Sequence, residues 1–572
     1  MRNYPYIGLY RNLRLLSDAQ AALILIFFGF LAFHNAIYHP FIHDDIVFIV
    51  ENPQIGNLSL PSIYSIFFPS LSGGGIVNQY YRPLLELIYR LEYKMFSFNP
   101  WYYHLANIII HLFNGFLVYL LMGKVFDGKK IAALIIALFF LVHPLQGEAV
   151  STISGISNLV YVSFSLMSFL LYLAASNRNT MRSVFVYLSS LFFYALALMA
   201  KEQAIVLPFL ILLYGLLVSR GKDVGGKFFK FGCINYFVVA VFYFLFRRVV
   251  TGFSLAGFLD FKGELILRVL AIPRTVLTYL RMVFFPHDLH YYRSTDILAP
   301  NFLSAALLLA IIPGIFLLIK KAKDPNRNIL IFGLSWFLVT ISPVLNIIPL
   351  VNEYSLILTA EHFMYLPVIG IFIFIVAILQ PYFLSFEEKG PVNFFAVVTA
   401  VLLTAAVSVT IKNNTYWENE ISLFSRTLRY EKDFGRVRIL LAKAYFREGL
   451  FNEAVRQYEN ALVIFEGYLR KAQNEQARKV YENFTEIAYA DMGASFLALN
   501  NYAQAIKYFN LALRLNPNNA FAHNNLGVSF IGARDFMRAR DHFEKALDLN
   551  TSPDSQAARR NLAILSGMKK GN

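Results

Sequence analysis

His43, Asp44 and Asp45 stand side by side in NAIYHPFIHDDIVFIVENPQI, the stretch from Asn35 to Ile55 that follows the first long apolar run of the chain. An imidazole beside two adjacent carboxylates suits three kinds of work. It can cap the segment that follows, hold a divalent cation through oxygen ligands, or take a proton from an attacking hydroxyl. Adjacent carboxylates at a partly dry site repel, so one pKa should rise, which favours a base. The residue types leave the choice among these roles open.

Further ionisable groups recur in short polar breaks between apolar runs. NQYYRPL places Arg82 before a proline, and Arg90 follows on the same helical stretch. An arginine at a membrane surface grips a phosphate through its fork of N–H donors or snorkels to lipid headgroups. HPLQGEAV carries His143 and Glu148, MAKEQAIVLP carries Lys201 and Glu202, and AEHFMYLP carries Glu361 and His362. Lys201 suits a phosphate as a point charge, or an ion pair that only holds the turn. Ionisable groups at such depths are candidates for function. Together they put acids and bases where an anionic leaving group could be received. By contrast, His104, Asn107, His111 and Asn114 share one face of an apolar run that holds no carboxylate, a pattern that suits hydrogen bonds between helices.

The elements that must position these groups are membrane helices. Of 572 residues, 57% are hydrophobic and 15% charged, where a soluble protein carries about 25% charged residues. The net charge of +15 matches Lys and Arg collecting in cytoplasmic loops, not a nucleic-acid face. One cysteine, Cys233, permits no internal disulfide. Apolar runs of roughly 17–25 residues can cross the hydrocarbon. They are expected at 21–39, 104–123, 131–147, 156–175, 184–200, 203–219, 229–249, 302–319, 329–349, 363–383 and 392–411. The segment 262–286 is interrupted by Arg268, Arg274 and Arg281 and is expected to lie in an interface. The loop charges then predict about eleven spans, a cytoplasmic N-terminus, and the polar breaks, the first loop (40–103) among them, on the external face.

Beyond a membrane domain at 1–415 and a linker at 416–434, the composition becomes soluble and repetitive. Aligning Gly493 with Gly527 superposes Phe496 on Phe530, Ala505 on Ala539, Phe509 on Phe543 and Ala512 on Ala546. A period of 34 residues with small residues where two helices touch is the tetratricopeptide signature. A third unit places Leu441, Ala442, Tyr445, Gly449, Ala454, Tyr458 and Ala461 in register, with an insertion at 466–482. The expected fold class is therefore all-α, a polytopic helical bundle followed by a tetratricopeptide solenoid over 435–565, with a disordered tail at 566–572. Such repeats bind peptide segments or act as rigid spacers.

The ordered series HDD, ENPQI, YRPL, NPWYYHLANIIIHLFN, HPLQGEAV, ISG, AKEQAIVLP, EHFMYLP and TYWENEISLF, followed by these repeats, resembles the transmembrane-and-TPR-containing (TMTC-type) O-mannosyltransferases and their bacterial relatives. The resemblance covers nearly the whole chain. It implies a GT-C fold glycosyltransferase that transfers a sugar from a polyprenyl-phosphate donor to an acceptor, a protein hydroxyl, on the external membrane face. It gives the catalytic acid role to Asp44 or Asp45 and phosphate contacts to Arg82, Lys201 and His362. His43, His143, Glu148, Glu202 and Glu361 complete the expected substrate-binding set. Relatives usually read Glu-Arg where this chain has Glu361-His362, whereas their Lys-Glu pair is kept as Lys201-Glu202. A divalent cation on Asp44 and Asp45 is a candidate cofactor. The expected location is a bacterial inner membrane, crossed many times, with the repeats extracytoplasmic and a polypeptide in their groove. A transporter would concentrate polar residues midway along several spans, which this chain does not. A non-catalytic scaffold that recruits partners through its repeats is the alternative.

Overall fold

The computed structural model describes residues 17–69, 81–175, 180–219, 226–251, 262–294, 302–345, 357–385, 394–471, 475–549 and 554–568. They form two compact units, residues 1–419 and 420–572.

The N-terminal unit is helical. Its helices are α1 (Asp18–Phe33), α2 (Leu60–Phe67), α3 (Pro83–Phe96), α4 (Pro100–Val125), α5 (Lys130–Val142), α6 (Gly147–Ser151), α7 (Ile156–Ala175) and α8 (Met181–Ala200), then α9 (Leu207–Leu213), α10 (Gly226–Thr251), α11 (Lys262–Phe284), α12 (Phe302–Lys321), α13 (Asn326–Ile341), α14 (Pro367–Ser385) and α15 (Phe394–Asn414). Local chemistry sets several starts. Ser17 and Gln20 close a reciprocal capping box on α1, which satisfies two orphan N–H groups. Asn99 caps α4, with Pro100 at its first position, where the missing N–H is harmless. Arg293–Ser294 (β1) and Ile357–Thr359 (β2) make one short antiparallel pair, with Arg293 opposite Thr359.

Among the described residues, eight helices are long and apolar enough to cross a membrane. A ninth span is counted if Lys130–Val142 and Pro144–Ser151, bent by 52° at His143, form one. The expected count of eleven is not reached. Glu202–Val218 and Pro367–Gln380 are apolar but short, because a lysine-glutamate break and a 3-10 turn occupy the start of one and the Glu361–Met364 turn precedes the other. The segment 262–286 is a helix over most of its length and is not among the candidate spans. The protein is a multi-pass integral membrane protein. On Phe302–Lys321 no residue of the apolar window is buried, as a lipid-facing helix requires.

Polar side chains join the buried helices. Asn107 donates to Thr152 O at 2.7 Å and Asn114 to Leu159 O at 2.9 Å. His111 lies 2.7 Å from the Tyr365 hydroxyl and 3.0 Å from Leu141 O. Helices α13 and α14 approach closely through glycines. A Cβ on Gly370 would stand 2.5 Å from Phe337 N and 2.6 Å from Gly333 O, so only glycine lets the backbones touch there.

The C-terminal unit holds α16 (Glu420–Tyr430), α17 (Gly435–Arg447), α18 (Phe451–Lys471), α19 (Glu475–Ala498), α20 (Tyr502–Leu515), α21 (Ala520–Gly532), α22 (Phe536–Asp548) and α23 (Asp554–Met568). Helix α16 falls in the expected linker and packs on α17. The insertion is no separate helix. It lengthens α18 to 21 and α19 to 24 residues, against 13 in α17 and 14 in α20. The aligned glycines explain the period. A Cβ on Gly493 would meet Phe509 at 2.9 Å, and one on Gly527 would meet Phe543 at 2.6 Å. Ala442 and Tyr458 are both buried at the matching positions of the first repeat. The described tail is helical to Met568, and 569–572 lie outside the described residues.

Replacing Gly370 by Leu should force α13 and α14 apart and destabilise the protein by about 1–3 kcal/mol. A lower Tm in detergent, with Gly123→Ala unchanged because nothing lies within 4 Å of it, is the expected outcome.

Candidate active site

The first loop is folded by its own aspartate. Asp45 is fully buried, and its carboxylate accepts from Ile42 N at 3.2 Å and Ser154 N at 2.7 Å. One oxygen thus closes the local turn, and the other clips the loop to the segment between α6 and α7. Burial pushes the Asp45 carboxyl up to about 7, with the neighbouring Asp44 charge the smallest contribution. The rise expected from two adjacent acids is present, and dehydration is its main cause.

Asp44 has the opposite surroundings. Its side chain is 46% exposed, and its Oδ1 lies 3.3 Å from His43 Nε2. His43 adopts φ 49°, in the left-handed region that non-glycine residues seldom occupy. Its Nε2 also lies 2.5 Å from the Tyr291 hydroxyl. The strained turn therefore holds one carboxylate outward and one inward.

The cations come from other helix ends. Arg82, at the start of α3, grips Glu202 side-on, with Nε 3.3 Å from Oε2 and Nη2 2.8 Å from Oε1. Lys201 ends α8 and donates to Asn158 Oδ1 at 2.6 Å. Its ammonium lies 5.7 Å from the Phe363 ring centre and 6.0 Å from that of Tyr161. Burial drags Lys201 down to about 7, helped by the Arg82 charge and opposed by Glu202 and Glu148. Glu148, on α6, holds His362 twice: His362 Nδ1 is 2.8 Å from Oε1, and its backbone N–H donates to Oε2 at 2.9 Å.

Two tyrosines lie among these groups. Tyr89 on α3 is buried, and its hydroxyl lies within electrostatic reach of Asp44, Asp45 and Arg82. Tyr291 is likewise in reach of Asp44 and Glu148. Asp44, Arg82, Lys201, Glu202, Glu148, His362 and His43 are thereby brought together. His143 points elsewhere. Its Nδ1 accepts from Leu145 N at 3.2 Å, and its Nε2 lies 3.0 Å from Val283 O, so its ring braces the bend after α5. Glu361 is buried in the turn that carries His362. Arg90 ties the loop by donating to Asn57 O at 2.7 Å and Ser62 Oγ at 2.5 Å.

Sequence reasoning missed Tyr89, Asn158 and Tyr291. With 34 tyrosines in the chain, nothing in composition or spacing singles out two of them. The paired acids do not form an oxygen cage for a divalent cation, because Asp45 spends both oxygens on backbone N–H groups. Among the described residues no three His, Cys, Asp or Glu converge as metal ligands.

The family described as Dolichyl-phosphate-mannose-protein mannosyltransferase matches residues 82–246, the span that supplies Arg82, Glu148, Lys201 and Glu202. Tetratricopeptide repeat families match 487–519 and 525–566. The chain is similar to the TMTC O-mannosyltransferases. Mouse Protein O-mannosyl-transferase TMTC1 is 31% identical over 220 residues, covering 36% of this chain and 23% of that protein. Mouse TMTC4 is 24% identical over 493 residues, 77% of this chain and 66% of that one. A Caenorhabditis elegans Protein O-mannosyl-transferase is 25% identical over 466 residues, 78% of this chain and 63% of that one. The chain thus spans less than two thirds of the length of each. Among solved structures, ArnT from Cupriavidus metallidurans bound to undecaprenyl phosphate aligns at 15% identity with a TM-score of 0.33, covering 83% of this chain and 79% of that one. That likeness is too loose to carry weight.

Asp45 stays protonated in the fold up to about pH 7 but ionises near 3.8 once unfolded. Its burial therefore weakens the fold progressively as pH rises between those values. Relative to wild type, Asp45→Asn should gain Tm from about pH 4 to 7 and then level off. Thermal melts across pH check the difference, and a constant offset would refute it.

Proposed function

We propose that the protein is a membrane glycosyltransferase of the GT-C type, which transfers a sugar of the mannose class from a polyprenyl phosphate to an acceptor hydroxyl. The observation that carries this reading is that an exposed carboxylate, Asp44, and a cation, Arg82, both lie within electrostatic reach of the same buried tyrosine, Tyr89. A base and an anion-binding group in one site are what a glycosyl transfer needs. The match of residues 82–246 to a mannosyltransferase family supports the choice of donor.

The chemistry is a single displacement. The acceptor oxygen bonds to the anomeric carbon while the bond from that carbon to the phosphate oxygen breaks. Its electron pair leaves with the phosphate, and the hydroxyl proton passes to Asp44. Arg82 and Lys201 stabilise the charge that develops on the phosphate in a dry site, where such contacts are worth most. Glu202 and Asn158 hold those two cations in place, and Glu148 orients His362. Asp45 is a positioning residue that fixes the loop carrying Asp44. The site faces the external side, and the repeats hold a polypeptide that presents the hydroxyl, which their match to tetratricopeptide families supports.

Asp44→Asn should lower transfer from a polyprenyl-phosphate mannose by roughly 10²–10⁴-fold, with Tm unchanged. Equal rates for the variant and wild type would sink the assignment.

Lys201 carries its charge below about pH 7 and loses it above. The free enzyme's kcat/KM should therefore fall above about pH 7. Lys201→Arg, which stays charged, should remove that fall, and identical pH profiles would rule Lys201 out as the titrating cation.

A further inference from the structure

Tyr279, Arg293 and Thr359 form a polar cluster that the reaction above leaves unused. Arg293 on β1 stands opposite Thr359 on β2. Tyr279, on α11, has its hydroxyl beside the Ala360 backbone and within electrostatic reach of both Arg293 and Glu148. The three side chains are buried, at 4% exposure for Arg293 and 0% for Tyr279 and Thr359.

Most of their donors are unmatched. Thr359 Oγ1 and Arg293 Nε and Nη1 have no hydrogen-bond partner among the described residues, and the Tyr279 hydroxyl has only the Ala360 backbone N–H beside its oxygen, so its own proton meets no acceptor there. Arg293 uses only Nη2, which donates to Asp288 O at 2.8 Å and stands 3.9 Å from Asp288 Oδ1. The other Asp288 oxygen is held by Arg281 at 2.5 Å. A buried guanidinium with unmet donors is costly, and each such group in a native protein requires an explanation. Arginine only donates, and both hydroxyls can donate. Donors converging from a cation and two hydroxyls are matched by an oxyanion, and a phosphoryl group supplies several oxygens at once.

The cluster's place in the fold links it to the site already described. Thr359 lies three residues before His362, which Glu148 holds. Tyr291, two residues before Arg293, has its hydroxyl on His43. The other cations near the site are already engaged: Arg82 by Glu202, Lys201 by Asn158 and His362 by Glu148.

We propose that Arg293, Tyr279 and Thr359 form a second phosphoryl-oxygen subsite, which binds the phosphate of the lipid-borne sugar donor alongside Arg82 and Lys201. This rests on the glycosyl-transfer reading. The subsite holds the phosphate in the donor and in the polyprenyl phosphate left after transfer, so its loss weakens binding of both.

The test uses the full chain in phosphatidylcholine nanodiscs, with binding of polyprenyl monophosphate measured beside uncharged polyprenol. Arg293→Gln should weaken polyprenyl monophosphate binding at least tenfold and leave polyprenol binding unchanged. Arg293→Lys should fall between, Tyr279→Phe and Thr359→Val should each lose a few fold, and Arg281→Gln should match wild type. If Arg293→Gln does not fold, the hydroxyl variants at wild-type Tm decide the question. Wild-type affinity in Arg293→Gln or in both hydroxyl variants overturns the subsite while leaving the glycosyltransferase reading intact. Competition by phosphatidylglycerol as strong as by polyprenyl monophosphate overturns it as well, because the site would then belong to bilayer headgroups. A wild type that neither binds polyprenyl monophosphate nor transfers sugar defeats both proposals together.

Discussion

A carboxylate removed from water accepts a backbone N–H from its own turn and another from a loop more than a hundred residues away. That clip, Asp45 to Ile42 and Ser154, fixes the turn at the start of the first loop without a disulfide. The turn it closes puts His43 into a left-handed conformation, and that conformation sets where Asp44 projects. Two chemically identical neighbours thus acquire different surroundings: the buried one is spent on backbone N–H groups, and the other faces solvent.

The rest of the site is arranged as balanced charge in a dry setting. Arg82 and Glu202 neutralise one another through two parallel contacts. Glu148 fixes His362 through both side chain and backbone. Among the described residues Lys201 donates to a neutral amide, and burial takes much of its basicity. Such an arrangement keeps its geometry with no ligand present, which is the preorganisation that the proposed transfer calls for. It also makes the members interdependent, because removing either half of a buried pair exposes the other to an unpaired interior.

Much of this was legible in the sequence, for identifiable reasons. Helices with uniform apolar faces were placed closely, 156–175 to the residue, since length and hydropathy decide them. The repeats were readable because a glycine against a phenylalanine recurs at a fixed spacing, Gly493 with Phe509 and Gly527 with Phe543. The span count is hardest to read where helices break: the bend at His143 and the short segment after Lys201 depend on packing, which periodicity does not record. In the site, charged residues announced themselves by lying in apolar surroundings. The different burial of Asp44 and Asp45 could not be read, because it depends on which of them meets Ser154 across the fold. His143 looked like a ligand by type, yet both ring nitrogens serve the backbone.

Helix α12, whose apolar window is wholly unburied, couples the protein to its lipid surroundings in a particular way. Its 20 residues extend about 30 Å at 1.5 Å per residue, which matches an average hydrocarbon layer with little to spare. A thinner bilayer is accommodated by tilt, most readily where side chains are least interlocked, and a thicker one by local thinning around the helix; here that helix is this outer one. Adjustment to the membrane is thereby confined to the periphery, and the tightly apposed α13 and α14 keep their registration behind it.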